Sequence, residues 1–153
     1  MGCQDCVLVG LSASTFITKE LWKRHEFITI SSSMLGNRLG EMALRLNVRE
    51  KLLTRAQKLA GEGFATLQYF LDGHPDVFSV VPPMASALSF VRYKLPINST
   101  ELVHKIRKEK SVLIVPGDCF DLDHHLRISS ALPEEYLKEG LGRVNEVVRE
   151  LLG

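Results

Sequence analysis

Apolar residues recur at three- and four-residue intervals over residues 48–71, where Leu52, Leu53, Ala56, Leu59, Ala60, Phe64, Leu67, Phe70 and Leu71 fall in register. A helix places that spacing on one face, so the pattern predicts one long amphipathic helix, ended by Gly73-His74-Pro75. Gly61 and Gly63 work against a sustained heptad, and the stripe therefore reads as core rather than as a coiled-coil seam. Upstream, Thr18 is placed to cap a short helix running through Phe27 with Leu21 and Trp22 facing inward. Ser31-Ser32-Ser33 reads as a cap or linker before a second helix over residues 34–46, carrying Leu35, Leu39, Met42, Ala43 and Leu46.

Beyond Pro75 the period changes. Short β-branched runs at 77–81, 87–93, 112–115 and 125–129 predict four strands, the third stopped by Pro116-Gly117. Asn98 with Glu101 has the form of a capping box and opens a helix that buries Leu102, Val103 and Ile106. A last helix begins at Pro133, with Glu134 and Glu135 in its first turn and Leu137, Leu141, Val144, Val148 and Leu151 along one face. The helices are expected to cover one face of the sheet. Residues 7–10 form a further short apolar run with no neighbours of its own, and an open-edged run of this kind, together with Leu11, Phe16 and Trp22, predicts self-association.

Composition narrows the class of partner. Nineteen basic and eighteen acidic residues leave a formal charge of +1, with no long block of either sign, which argues against nucleic acid. No apolar run approaches the ~20 residues of a membrane span and no leader pattern is present, so a cytoplasmic location is expected. Three cysteines, Cys3, Cys6 and Cys119, do not read as a disulfide framework. Cys3 and Cys6 have zinc-knuckle spacing but lack two further ligands close by.

Two stretches carry candidate chemistry. Arg127 alternates with Leu126 and Ile128, so a strand would place it on the opposite face, where its rigid fork suits a carboxylate. The plain alternative is a solvated arginine on an exposed sheet face. Residues 118–125 pack Asp118, Cys119, Asp121, Asp123, His124 and His125 into one loop, yet their spacing fits no metal site, and an acidic turn before a strand needs no ion. His25-Glu26 lacks a second histidine, and no phosphate-cradling glycine loop or nucleophile elbow is present.

The order of these stretches resembles the C-terminal part of the fold-type I, pyridoxal-phosphate-dependent aminotransferases of class I/II. Leu21-Trp22-Lys23 with Thr29-Ile30-Ser31 resembles the segment after that family's cofactor lysine. Val81-Pro82-Pro83 followed by Ala87-Leu88-Ser89-Phe90 resembles its PP-x-GG-x-F-x-F strand, and Val115-Pro116-Gly117-Asp118 leading to Leu126-Arg127-Ile128-Ser129 is the strongest match. The likeness covers roughly residues 18–152, with a weaker extension back to Cys6.

The resemblance implies an α+β fold of two layers: about four mostly antiparallel strands covered on one face by helices, with a long connecting helix over residues 48–71. It implies that residues 1–33 correspond to the end of a large domain and residues 34–153 to the small domain. It assigns Arg127 to the α-carboxylate of an amino acid or 2-oxo acid. In the complete family member pyridoxal 5'-phosphate carries the amino group, and the partners are a large domain and a second copy in a homo-oligomer. None of the nine lysines has the family's S-x-x-K-like context, and Leu8 stands where an arginine helps to hold the cofactor phosphate. Ala85-Ser86 replaces the Gly-Gly pair, and Asp121 replaces a glycine. This chain by itself is therefore expected to bind no cofactor and to be inactive, with no catalytic or metal-ligating residue of its own. A non-enzymatic binding or assembly module built on the same fold is the alternative.

Overall fold

The computed structural model describes residues 13–28 and 33–153. The run at 7–10, Leu8, Leu11, and the Cys3 and Cys6 pair lie outside the described residues. The chain forms two units, Met1–Leu53 and Thr54–Gly153.

In the first unit α1 spans Thr15–His25 and α2 spans Met34–Leu44. Ser14, not Thr18, caps α1: its side chain accepts from the Ile17 N–H at 3.5 Å, while the Thr18 hydroxyl donates back to the Ser14 carbonyl from within the helix. Leu21 and Trp22 do not face inward; no α1 residue is buried, and Trp22 is 64% exposed. Ser33 caps α2 as expected, accepting from the Gly36 N–H at 3.2 Å. That helix stops earlier than residue 46 because Arg45 leaves the helical region at ψ 131°, and α3 then runs as Leu46–Asp72.

The second unit contains the sheet. Its strands are β1 (Phe78–Val80), β2 (Leu88–Tyr93), β3 (Val115–Pro116) and β4 (His125–Ser129), with α4 (Ser99–Lys110) after β2 and α5 (Glu134–Leu152) after β4. The spatial order is β1-β2-β4-β3 and every pair is antiparallel. This is the expected α+β architecture. Alternation sends Val91, Tyr93, Leu126 and Ile128 to one face, where they meet Leu67 and Leu71 of α3, Leu102, Val103 and Ile106 of α4, and Leu137, Leu141, Val144, Val147 and Val148 of α5. Each fully buried aliphatic side chain contributes about 1.5–3 kcal/mol, so this single cluster holds the unit together. Tyr93 is the largest fully buried side chain. Its hydroxyl donates to the Ile97 carbonyl at 2.9 Å, and burial pushes its pKa well above the usual tyrosine value.

Two close approaches fix the frame. A Cβ on Gly63 of α3 would stand 1.8 Å from the Ser130 carbonyl oxygen, so the helix touches backbone at the end of β4. Ser130 is itself tied to β2, since both its N–H and its hydroxyl donate to the Ala87 carbonyl, at 2.8 and 3.1 Å. The third strand is shorter than the run 112–115 predicts. Only Val115 and Pro116 pair with β4, opposite Arg127 and Leu126. Residues 112–114 keep an alternating burial pattern, with Ile114 buried and Leu113 77% exposed, but they have no ladder partner.

Candidate functional site

Arg127 sits in the middle of β4 between buried Leu126 and Ile128, and so projects from the sheet face opposite the helices. Register places Phe90 of β2 on one side of it and Val115 of β3 on the other. The side chain is half-buried, and its guanidinium carbon lies 5.3 Å from the centroid of the Phe120 ring. Among the described residues no carboxylate pairs with this guanidinium and no acceptor takes its N–H groups. Phe120 in turn stands edge-on to Phe90, with centroids 5.2 Å apart and planes at 83°, and Phe90 contacts His125 at 6.1 Å. An unpaired guanidinium in an aromatic setting has the donor geometry to take a planar anion such as a carboxylate.

The edge of β4 beyond the short third strand opens into a cleft of about 360 Å3, bounded by Arg127, Ser129, Val112, Ile114, Tyr136 and Arg143. Arg143 is already engaged, donating to Glu139 at 2.6 Å and to the Lys110 carbonyl at 3.2 Å.

The acidic loop is fastened to a helix. Gly117–Phe120 is a single 3-10 turn. Asp118 accepts from the Thr100 N–H and hydroxyl at 3.2 and 2.7 Å, and Asp123 accepts from the Ser99 N–H at 2.8 Å. Asn98 accepts from the Glu101 N–H at 2.8 Å, so the capping reading of Asn98 holds, and the first three N–H groups of α4 each have a side-chain acceptor. Hydrogen bonds from the Ser99 and then the His124 N–H hold the Asp123 carboxyl below the usual aspartate range. Cys119 is a free, exposed thiol, and among the described residues no three metal-ligating side chains come together. The resemblance places the loop over residues 118–125 beside the substrate, but the contacts of Phe120 with Arg127 and of Asp118 and Asp123 with α4 were not predicted. Their contacts join residues 7 to 24 positions apart, which no local pattern records.

Two departures noted in the sequence acquire a backbone meaning. Ser86 has φ 86° and Asp121 has φ 56°, both in the left-handed region that glycine enters without penalty.

No protein-family model matches the chain. A PLP-dependent aminotransferase from Streptococcus suis superposes with a TM-score of 0.83 at 23% identity, over 92% of this chain and 37% of that one. This is the fold of an aminotransferase small domain. The aspartate aminotransferase of Thermus thermophilus, in a tetra mutant form, matches with a TM-score of 0.77 at 19% identity, over 86% of this chain and 36% of that one. The aromatic aminotransferase of Pyrococcus horikoshii matches with a TM-score of 0.73 at 19% identity, over 91% and 38%. In sequence, 60 residues are 38% identical to the aspartate aminotransferase of Streptomyces avermitilis, covering 39% of this chain and 15% of that protein. The chain thus spans well under half the length of these relatives.

Pyridoxal phosphate, the group that aminotransferase chemistry uses, does not fit the residues around Arg127. Holding it requires a lysine for the imine together with phosphate donors. No lysine lines the cleft beside Arg127, and Lys105, Lys110 and Lys138 are committed to glutamates on helix surfaces. Among the described residues no helix is long and apolar enough to cross a membrane.

Proposed function

We propose that this chain is the C-terminal, small-domain part of a PLP-dependent aminotransferase, and that Arg127 receives the α-carboxylate of the amino acid or 2-oxo acid between which the amino group is exchanged. The observation that carries the proposal is the unpaired, half-buried Arg127 guanidinium over Phe120 on the open sheet face. Residues 1–33 belong on this reading to a large domain that completes the cofactor site, and residues 34–153 form the small domain. None of the nine lysines takes the cofactor in this chain alone.

Two measurements test this. Titration of the chain with a 2-oxo acid, followed by NMR at the Arg127 Nε–H, is expected to shift that signal saturably, and Arg127→Gln is expected to abolish the response. Shifts that persist in Arg127→Gln would remove the assigned role. Pyridoxal phosphate followed by borohydride is expected to leave no single lysine stoichiometrically labelled, and such a label would overturn the claim that this chain is incomplete.

Self-association is part of the same proposal. Phe16 and Trp22 of α1 are exposed, as are Met34, Leu35 and Leu39 of α2, and exposed apolar surface of this kind tends to be covered by association. Sedimentation that shows a clean monomer at all concentrations would remove that part alone. A second reading, a non-enzymatic module on the same fold, draws support from Ser86 and Asp121 at left-handed positions where the motif carries glycine. An in-frame large-domain sequence upstream in the genomic DNA decides against the module.

A further inference from the structure

We propose that Phe120 is a positioning residue for Arg127, and that Asp118 and Asp123 keep it in place by fastening its loop to the first turn of α4. The inference rests on the reading of Arg127 as a carboxylate receptor. Arginine is long and flexible, and on an open face without an ion-pair partner its head has nothing polar to hold it. Here the electron-rich face of Phe120 attracts the cation at 5.3 Å, and a ring contact consumes no N–H, so the whole fork remains available to a ligand. The ring is itself held, standing edge-on to Phe90, which is the residue directly across the sheet from Arg127. Guanidinium, ring and cross-strand ring form a closed triangle.

The loop bearing Phe120 is tied on both sides of it. Before it, Asp118 accepts from Thr100, and the Asp118 N–H donates to the Ser99 hydroxyl at 3.2 Å. After it, Asp123 accepts from the Ser99 N–H. A Cβ on Gly117 would stand 2.0 Å from the Leu122 carbonyl oxygen, so the turn is also closed tightly on itself. None of these bonds is part of the β2-β4 ladder that carries Arg127. Loosening them should therefore move the ring and leave the strand in place.

The test uses the whole chain and measures 15N relaxation of the Arg127 Nε–H, with acetate as the carboxylate probe. Phe120→Leu is expected to raise the mobility of that group and to weaken acetate binding about two- to fivefold, the size expected of an exposed cation-ring contact. Phe120→Tyr, which keeps a ring, is expected to restore both. The double variant Asp118→Asn, Asp123→Asn is expected to raise Arg127 mobility while the amide signals of β2 and β4 stay in place. Unchanged Arg127 mobility in Phe120→Leu, with sheet signals intact, would overturn the proposal. If acetate binds nowhere in the unaltered chain yet Arg127 mobility still follows the ring, positioning stands and the carboxylate reading fails.

Discussion

Helix α5 buries Leu137, Leu141, Val144, Val147 and Val148, whereas α2 carries Leu35, Leu39 and Met42 at the same helical spacing and buries only Gly36. The residue types and the period are alike. What differs is the surface each helix finds within its own unit: α5 lies against a four-stranded sheet and two further helices, while the first unit contributes no sheet among its described residues. An amphipathic stripe creates a demand for a partner and does not supply one. Isolated helices of about eleven residues are marginal in water, so the first unit depends on contacts far more than its clean periodicity suggests.

The contrast can be broken most directly in the two stripes themselves. Leu141 of α5, buried in the core, is expected to cost about 2–5 kcal/mol when replaced by alanine. Leu39→Ala in α2 is expected to change stability by no more than about 0.5 kcal/mol, as for other exposed sites. Urea denaturation of both variants measures the difference, and equal losses would show that the α2 stripe is covered in solution.

Within α3 a second pair sharpens the point at closer range. Gly63→Ala would drive a methyl into the Ser130 carbonyl and is expected to cost about 1–3 kcal/mol, since backbone on both sides must shift. Gly61, two residues earlier, meets nothing within 4 Å, and Gly61→Ala is expected to stabilise the helix by about 0.5–1 kcal/mol. Thermal melts that moved the same way for both would contradict the packing of α3 on the end of β4.

The smallest effect concerns the caps, where the two units also differ. Ser14 and Ser33 cap α1 and α2 from the adjoining residue, whereas α4 draws Asp118 and Asp123 from a distant loop. The Asp123 carboxyl is held below its ordinary value, so its charged form favours the fold at pH above the unfolded value of about 3.9, and this contribution fades as pH falls through the lower folded value. Asp123→Asn is expected to match the unaltered chain in acid and to be less stable above about pH 4. Stability curves that run parallel across that range would show the distant cap to be idle.

Most elements follow from local pattern. The long helix, the caps at Ser33 and Asn98, the strands of β2 and β4 and the stop at Gly73 all depend on residues within a few positions of one another. Alternation alone placed Arg127 on the face opposite Leu126 and Ile128, because the pleat has a period of two. Ser86 and Asp121 take left-handed angles that only the folded backbone reveals.

Tertiary structure decided the rest. Residues 112–114 have strand composition yet lack a ladder partner in the folded chain. Leu21 and Trp22 have core composition yet stay exposed, with no apolar surface against them among the described residues of their unit. Phe120 reached Arg127, and Asp118 and Asp123 reached α4, only through the order in which the strands lie side by side. Periodicity is written by backbone geometry into neighbouring residues, whereas the choice of partner is made between residues far apart in the chain and takes shape only when the sheet closes over its core.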